Sequence, residues 1–567
     1  MNSSLEHKRH SLAHLLAAAV LELYPDAKRA IGPAIENGFY YDFGDLKITD
    51  EDLPKIEAKM REILPTWKEF HKATIPAKDA RKLFADNPYK LELIDEYEKD
   101  GLTTYTSGTY MDLCRGGHSL EIDPEAFKLT HLAGAYWRGS EKNPMLTRIY
   151  GLAFDTKKEL DEYLVMLEEA KKRDHKVLGP KFGLFMFHET APGMPYWLPK
   201  GMVVLNELIE FWRQEHASRG YHEISSPLIN KKELWETSGH WEHYRENMFL
   251  AEMDGQIYGV KAMNCPNAMI VFGSHHHSYR DLPYRLSDTD ILHRYELSGT
   301  LNGLLRVRSF RQDDSHNFIT EDQIEEEYER ILEIAEKFYG VFGLEYRLRL
   351  GTRPENFMGE PELWDKAEAA LLSILKKQQR EHFVLEGDGA FYGPKIDILM
   401  KDALGREWQM GTIQLDFQQP RRFDLHYIDQ DGQKKTPVVV HRVIYGSLDR
   451  FIGLILEHFA GAFPLWLAPV QVAILPVADR HVERSRNIAD QLREHNIRVE
   501  IDESNEKLGK KIREAEMMKI PYLVILGDKE LEAGKIAVRK RGGEDLGQVE
   551  LENFIEKLLE EIKTKTL

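Results

Sequence analysis

Residues 292–318, LHRYELSGTLNGLLRVRSFRQDDSHNF, constrain the fold more than any other stretch. Two strand-like runs carrying Arg294, Glu296, Arg306, Arg308 and Phe310 flank a loop of Gly, Ser and Asn, which reads as a hairpin. A core closed on both faces cannot accept that many guanidinium groups, because each unpaired buried charge is costly. One face must therefore meet an anion. Arg forks bidentately onto phosphate and Phe310 offers a flat face to a base, so a nucleoside triphosphate suits this composition better than a metal cluster or an apolar ligand. Arg and Glu paired across a solvated sheet would leave the same letters, and the stretch alone keeps that reading open.

At 567 residues the chain exceeds a single core and is expected to divide into roughly three or four domains. Its 42% apolar and 30% charged residues belong to a folded chain rather than a disordered one. The opening MNSSLEHKRHSLAHLLAAAVLELYP has a basic patch before a short apolar run that His and Ser interrupt and Glu22 closes. It predicts an amphipathic helix, neither a signal peptide nor a membrane span. No apolar stretch is long enough for a bilayer and only 2 cysteines are present, so a disulfide framework is excluded and the reducing cytoplasm is the expected location. A net charge of −18 argues against a generally basic surface. The acidic runs at 57–62 and 325–327 fit solvated helix faces, however, and the basic cluster at 539–541 leaves local contact with RNA open.

The first block, 1–155, shows helical periodicity over 9–24 and 51–64, then short strand-like runs and Gly-rich turns. Residues 156–180 read as a charged connecting helix. A second block, 181–469, mixes long helices (200–218, 321–340, 361–380) with strands, an α+β pattern. The third, 470–567, alternates strands and helices and predicts a small α/β domain with a mostly parallel sheet.

Three segments of the second block carry a specific resemblance. GMVVLNELIEFWRQEHASRGYHEISSPLI is a helix and a strand stopping at Pro227; the 292–318 hairpin follows; VVVHRVIYGSLDRFIGLILEHF is a strand, a Gly turn and a helix opening with Arg450. Each is weak by itself, but in this order they resemble motifs one, two and three of the class II aminoacyl-tRNA synthetases. Within that class KAMNCPNAM, RSFRQDDSHNF, AFYGPKIDI, WQMGTIQLDF and HRVIYGSLDRF are similar to threonyl-tRNA synthetases, and the likeness covers essentially the whole chain. It implies an α+β multidomain protein: an N-terminal α+β editing domain (1–155), a linker helix (156–180), a class II catalytic domain on an antiparallel sheet (181–469) and a C-terminal α/β anticodon-binding domain (470–567). The implied reaction is ATP-dependent activation of L-threonine to threonyl-adenylate and transfer to tRNA(Thr), with hydrolytic editing of seryl-tRNA(Thr). Motif one implies a homodimer. Most bacterial members of that family begin with a small ubiquitin-like domain, whereas this chain starts almost at the editing helix; aminoacylation is expected without it, since no matched site residue lies there.

The resemblance also assigns residues. Cys265, His316 and His441, each expected on a strand-like segment, match a site for one Zn2+ per subunit; one thiolate and two imidazoles leave the open position of a catalytic zinc. Spacing alone would read them as core residues. In the family the zinc takes the amino group and hydroxyl of threonine, which addresses a selectivity problem. An apolar pocket separates valine from threonine only about 100-fold, whereas a hydroxyl-demanding site leaves valine one ligand short. Serine supplies both ligands and lacks only a methyl, worth roughly 10–200-fold, so proofreading is required. Arg294 is assigned to the α-phosphate, Glu296 to the adenine amino group, Phe310 to stacking on the base, Arg306 to the outer phosphates and Arg450 to the γ-phosphate end, with Mg2+ bridging the phosphates. Asp314, Gln312 and Tyr392 are assigned to threonine, Lys395 and Gln414 to the neighbourhood of the reacting carboxylate, and His240 to the transfer step.

His10 and His14, one turn apart on a helix, with Cys114 and His118 in DLCRGGH, resemble the editing site shared by threonyl- and alanyl-tRNA synthetases. The same four side chains have metal-ligand chemistry, so a bound zinc and a metal-free water site both stand. Asn505, Glu530 and Arg539 align with anticodon contacts of the family; as exposed polar groups they read equally as solvated surface.

Overall fold

The computed structural model describes residues 3–377, 381–402 and 405–567. The chain separates into two compact units, Met1–Glu168 and Glu169–Leu567. Among the described residues no helix is long and apolar enough to cross a membrane.

In the first unit the Ser3–Leu23 helix packs against an antiparallel sheet built on Gly38–Gly44, Met145–Ala153 and Phe127–Tyr136. The expected amphipathic helix is instead buried on every side from Ser11 to Val20. Alanines at 13, 17, 18 and 19 let neighbours approach from all sides, and a helix apolar all round is an interior one. A second antiparallel sheet, His71–Ile75, Leu102–Ser107 and Tyr110–Leu113, carries Asp112 and delivers the chain to Cys114.

The second unit is organised by a nine-stranded sheet among the described residues. Its centre runs Tyr284–Asp288, Ser309–Ile319, Val438–Ser447, Glu407–Asp416, Lys395–Lys401 and Tyr346–Gly351, every neighbouring pair antiparallel. One face is apolar. Ile396, Ile398, Ile413, Leu415, Val440 and Ile444 pack beneath the helices Pro199–Ala217, Ile324–Gly340 and Leu448–His458, which contribute Val204, Leu208, Trp212, Ile331, Phe338, Phe451 and Ile455. Since side chains alternate along a strand, the intervening residues must face the other way, and these are the polar ones: Asp314, His316, Thr412, Gln414 and His441. The Pro361–Lys377 helix was expected to run to 380; residues 378–380 lie outside the described ones.

Two features depart from the sequence expectation. The 292–318 hairpin has a three-residue first strand, Ile291–His293, so Arg294, Glu296, Arg306 and Arg308 sit in the irregular connection rather than on strands. Gly299, Gly303 and the short 3-10 turns Ser298–Thr300 and Gly303–Leu305 break the ladder. In the C-terminal part, Val472–Pro476 pairs parallel with Val499–Ile501 and Tyr522–Leu526, but Ile536–Lys540 and Asp545–Val549 join antiparallel. The expected mostly parallel sheet is therefore mixed. The turn 541–544, with two glycines at positive φ, closes a hairpin where a crossover helix would have kept the strands parallel.

A bulge shapes the middle of the large sheet. Between the pairings Gln312↔Ser447 and Asp314↔Val443, the single residue Asp313 stands opposite 444–446. Its buried carboxylate accepts the N–H groups of Ile444 (3.0 Å), Tyr445 (3.1 Å) and Gly446 (2.9 Å), which the partner strand does not reach. Gly446 has φ +72°, and a Cβ there would fall 2.2 Å from the Met410 carbonyl oxygen, so only glycine fits.

Candidate active site

The polar face of the sheet forms the floor of a cavity of about 310 Å³. Register puts His316, His441, Gln414 and Lys395 in one row across four adjacent strands. The next row begins Asp314, Val443, Thr412 and Asp397. The Cys265–Gly273 helix lies over this floor, its Ala268, Met269 and Phe272 packed on Phe318. Cys265 is thus the first residue of a helix, not part of a strand as expected: the apolar run through MNCPNAMIV looks strand-like, but Pro266 is preset for a first helical turn.

Cys265, His316 and His441 are all buried, with donor atoms within 4.8 Å of one another. His441 Nε2 lies 2.9 Å from a carboxylate oxygen of Asp416, which fixes the tautomer and leaves Nδ1 its lone pair, the arrangement of a carboxylate-supported metal ligand. Buried His316 Nδ1 has no hydrogen-bond partner. Burial raises the Cys265 thiol well above its ordinary value, with Asp314 and Asp416 adding to the shift. A divalent cation would reverse that by deprotonating the thiol outright. Two nitrogens and one sulfur, closely spaced, with an unused lone pair and a carboxylate behind, fit a zinc ion.

Arg294, Glu296, Arg306, Phe310, Gln312, Asp314, Tyr392, Gln414 and Arg450 line the same cavity. Arg450 is fixed by two carbonyls, Nε to Leu305 (2.9 Å) and Nη1 to Gln409 (2.9 Å). Its pKa is lowered by burial and then by the positive charges of Arg294 and Arg306. Arg294 donates to the Ala262 carbonyl (3.2 Å) and lies 5.1 Å from the centre of the Phe310 ring. Arg306 donates to Glu296 (2.9 Å), while Arg308 is turned onto the Glu296 carbonyl (2.8 Å) and Ser298. Burial raises Asp314 to about 6, with His441 and Asn264 opposing the shift.

Two of the sequence-assigned residues stand beside the cavity lining. Lys395 is held by Asp388 and Asp397, each at 3.1 Å. His240 is buried in the short His240–His243 helix; its Nε2 is 3.7 Å from Cys265 Sγ, and burial lowers its pKa to about 3. Tyr244, Met263, Gln409 and Thr412 also line the cavity and were not singled out. WQMGT holds two of them, and strand alternation would have placed Thr412 beside Gln414.

In the first unit His10, His14, Cys114 and His118 do converge: Cys114 Sγ is 3.5 Å from His10 Nε2 and 3.3 Å from His118 Nε2. His10, His14 and Cys114 open onto a cavity of about 270 Å³ with Lys90, Asp112 and Tyr41, none of which the sequence reading found. Asp112 accepts from Tyr41 (2.5 Å), Tyr110 (2.9 Å) and Lys90 (2.8 Å). Burial alone would raise the Asp112 pKa, but Lys90 and Arg29 outweigh it and hold the carboxyl below its usual range. Burial also lowers His118 to about 3 and pushes Cys114 up to about 11, so the cluster presents uncharged imidazoles and a thiol. Position 112, two before Cys114 on a strand, was within reach of alternation; nothing in the letters around Lys90 marks it.

Farther along the chain Asn505 is exposed in the loop after Val499–Ile501. Glu530 is engaged by the Gly527 N–H and Gln548, and Arg539 is 3.9 Å from Asp545. Arg541 of the basic cluster is spent on the carbonyls of Phe463 and Lys519.

Residues 249–459 match the tRNA synthetase class II core domain (G, H, P, S and T) and residues 471–561 the anticodon binding domain. With the antiparallel sheet and its arginine-lined cavity, these define a class II aminoacyl-tRNA synthetase. Over 563 residues the sequence is 53% identical to a threonine–tRNA ligase of Caldanaerobacter subterraneus subsp. tengcongensis, covering 98% of this chain and 87% of that one. It is 54% identical to a threonine–tRNA ligase of Clostridium botulinum strain Okra, covering 98% and 89%. The solved RNA binding domain of threonyl-tRNA synthetase from Cryptosporidium parvum superposes with TM-score 0.66 at 41% identity, covering 68% of this chain and 98% of that chain. The chain belongs to the threonine–tRNA ligase family.

Proposed function

We propose that this protein charges tRNA(Thr) with L-threonine in the cavity of its second unit and clears seryl-tRNA(Thr) in the cavity of its first. The observation that carries the first half is the meeting of three guanidiniums, Arg294, Arg306 and Arg450, with a buried Cys265/His316/His441 set in one cavity. Arg306 is paired with Glu296, but Arg294 and Arg450 donate to backbone carbonyls, and the positive charge they bring to the cavity matches a triphosphate.

In the first step an oxygen of the threonine carboxylate attacks the α-phosphorus of ATP. A phosphorus–oxygen bond forms to the carboxylate, the bond to the bridging oxygen breaks, and pyrophosphate leaves; Mg2+ bound with ATP would neutralise charge on the phosphates. No protein nucleophile is needed; positioning and charge neutralisation do the work. Arg294 holds the α-phosphate, Arg306 the outer phosphates and Arg450 the γ end, while Glu296 and Phe310 take the adenine. Asp314 accepts a hydrogen bond from the amino group of threonine, which binds as the neutral amine, its proton lost to solvent, so that its lone pair is free for the metal. Gln312 and Tyr392 stand with Asp314 around the amino group, while Gln414 and Lys395 flank the reacting carboxylate; Tyr392 donates to Gln414 at 2.7 Å. Zinc held by Cys265, His316 and His441 would supply Lewis-acid sites for the amino group and hydroxyl, the basis for rejecting valine. In the second step the terminal ribose hydroxyl of tRNA attacks the adenylate and AMP leaves. His240 is our candidate to assist this step; buried beside Cys265 and outside the cavity lining, it would act through its neighbours rather than by touching the hydroxyl. Asn505, Glu530 and Arg539 are our candidates for anticodon contact.

Threonine-dependent ATP–pyrophosphate exchange tests this reading. A binding-only relative that senses tRNA would show none in a clean preparation.

For the second half, the supporting observation is the cavity joining His10, His14 and Cys114 to the buried Lys90–Asp112 pair. Uncharged imidazoles there can position water and take its proton as it attacks the seryl ester. We expect the double change His10→Ala and His14→Ala to leave threonine charging within about twofold and to let seryl-tRNA(Thr) accumulate by at least tenfold, since loss of one general base slows hydrolysis by about 10²–10⁴. Acid-gel analysis of tRNA charged with each amino acid reads both; collapse of threonine charging in a folded protein would overturn the division of labour.

We further propose a cytoplasmic homodimer. Leu228, Ile229, Leu250, Met253 and Ile257, just after motif one and on the sheet it feeds, are exposed apolar side chains that a second copy would cover.

A further inference from the structure

His175 opens the His175–Lys181 helix and is 1% exposed, yet no role in the reaction has been given to it. Its Nδ1 lies 2.6 Å from Glu457 Oε1, and its Nε2 accepts the Leu304 N–H at 3.0 Å. Asp174, His175 and Glu457 have donor atoms close enough for an ion. The ring itself rules against one. Because Nε2 accepts from an amide, Nδ1 must carry the proton, and that proton points at Glu457. Both nitrogens are engaged and neither offers a lone pair to a metal.

What the ring joins is informative. Leu304 belongs to the Gly303–Leu305 turn, which leads directly into Arg306. The next carbonyl along, that of Leu305, accepts from Arg450. Arg450 and Glu457 sit on the same helix, Leu448–His458, two turns apart on one face, with Gly453 between them. One helix thus grips two consecutive residues of the nucleotide loop, once directly through Arg450 and once through the His175 ring. Two glycines make room for this. A Cβ on Gly303, whose φ is +48°, would fall 2.2 Å from His175 Nε2; a Cβ on Gly453 would sit 3.2 Å from the Leu305 side chain and 3.3 Å from that of Leu304. Lys176, next in sequence, adds a bond from its ammonium to the Asn302 side chain (3.2 Å).

We propose that His175 is a positioning residue for ATP: hydrogen-bonded between Glu457 and the Leu304 amide, it fixes the loop that carries Arg306 and accepts Arg450, and so sets the spacing of two of the three phosphate-binding guanidiniums. This rests on the reading of that cavity as the ATP site. His175 touches no substrate.

The test compares three substitutions in the full-length protein by threonine-dependent pyrophosphate exchange. In His175→Ala the KM for ATP is expected to rise about tenfold, the scale of one buried hydrogen bond, with the KM for threonine within about twofold. His175→Gln carries an oxygen near the Nε2 position, can still accept from Leu304, and should stay within about threefold of wild type. His175→Asn reaches only the Nδ1 position, keeps the Glu457 contact and should behave like the alanine variant. A merely structural role would instead lower the active fraction, leave both KM values in place and treat Gln and Asn alike. That pattern, or an unchanged ATP KM in all three, overturns the proposal. Should the alanine variant fail to fold, the Gln and Asn pair decides. Should wild type show no exchange, the ATP reading itself fails; hydrogen exchange at the Leu304 amide then judges the linkage, which falls if exchange is no faster in Asn than in Gln.

Discussion

A chain carrying Cys265→Ser is expected to fold and to lose at least about a thousandfold in threonine-dependent pyrophosphate exchange, or roughly 4 kcal/mol of transition-state stabilisation. Cys265 caps the buried His316/His441 pair, and its thiol is held protonated by burial unless a cation draws the proton off. A serine hydroxyl is too weak an acid and too hard a donor to replace a thiolate. Metal analysis provides the second readout: wild type should hold about one zinc per chain and the variant well under half of that. A variant that keeps exchange within tenfold of wild type, or zinc bound undiminished, would remove these three residues from the metal assignment. Two zinc ions per wild-type chain would place the second at His10, His14, Cys114 and His118.

Arg450→Ala should cost a comparable factor, about 10²–10³ in kcat/KM for ATP, as removal of one preorganised donor to developing charge does elsewhere. The KM for threonine should not move. Arg450→Lys is expected to restore little. The guanidinium is planar and fixed through Nε and Nη1 by the carbonyls of Leu305 and Gln409, which aims the group; an ammonium cannot satisfy both carbonyls and the phosphate from one nitrogen in that geometry. Lysine rescue to within threefold of wild type would show that charge alone matters and that the two carbonyl bonds are incidental.

The arginines and the motif order were legible because burying unpaired charge is so costly that a charged hairpin announces a ligand. The antiparallel sheet came with the family resemblance and not from alternation: between Gln312, Asp314 and His316 stand Asp313, Ser315 and Asn317, so both faces of that strand read as polar. Cys265 was placed on the wrong kind of element because a short apolar segment looks alike as helix or strand, and Pro266 was the overlooked signal. The interior helix at the N-terminus was misjudged since alanines count as weakly apolar yet permit the closest packing. Lys90, Asp112, His175 and Glu457 could not be found, because their meaning lies in contacts between residues far apart in sequence. A buried ion pair or a histidine between two acceptors and donors leaves no local pattern.

The bulge at Asp313 has a geometric corollary. It sets one residue against three, an excess of two, so the side-chain alternation survives it: His441, Val443 and Ser447 all remain on the cavity side. An excess of one would have inverted everything downstream. The strand gains reach toward the Leu448–His458 helix without turning over, and the fastener that keeps the slack from running out is a single carboxylate on three amides. Were the ladder to close up into regular pairing, the helix start would slide by two residues, roughly 7 Å along the strand, carrying Arg450 away while His316 and His441 upstream kept their places.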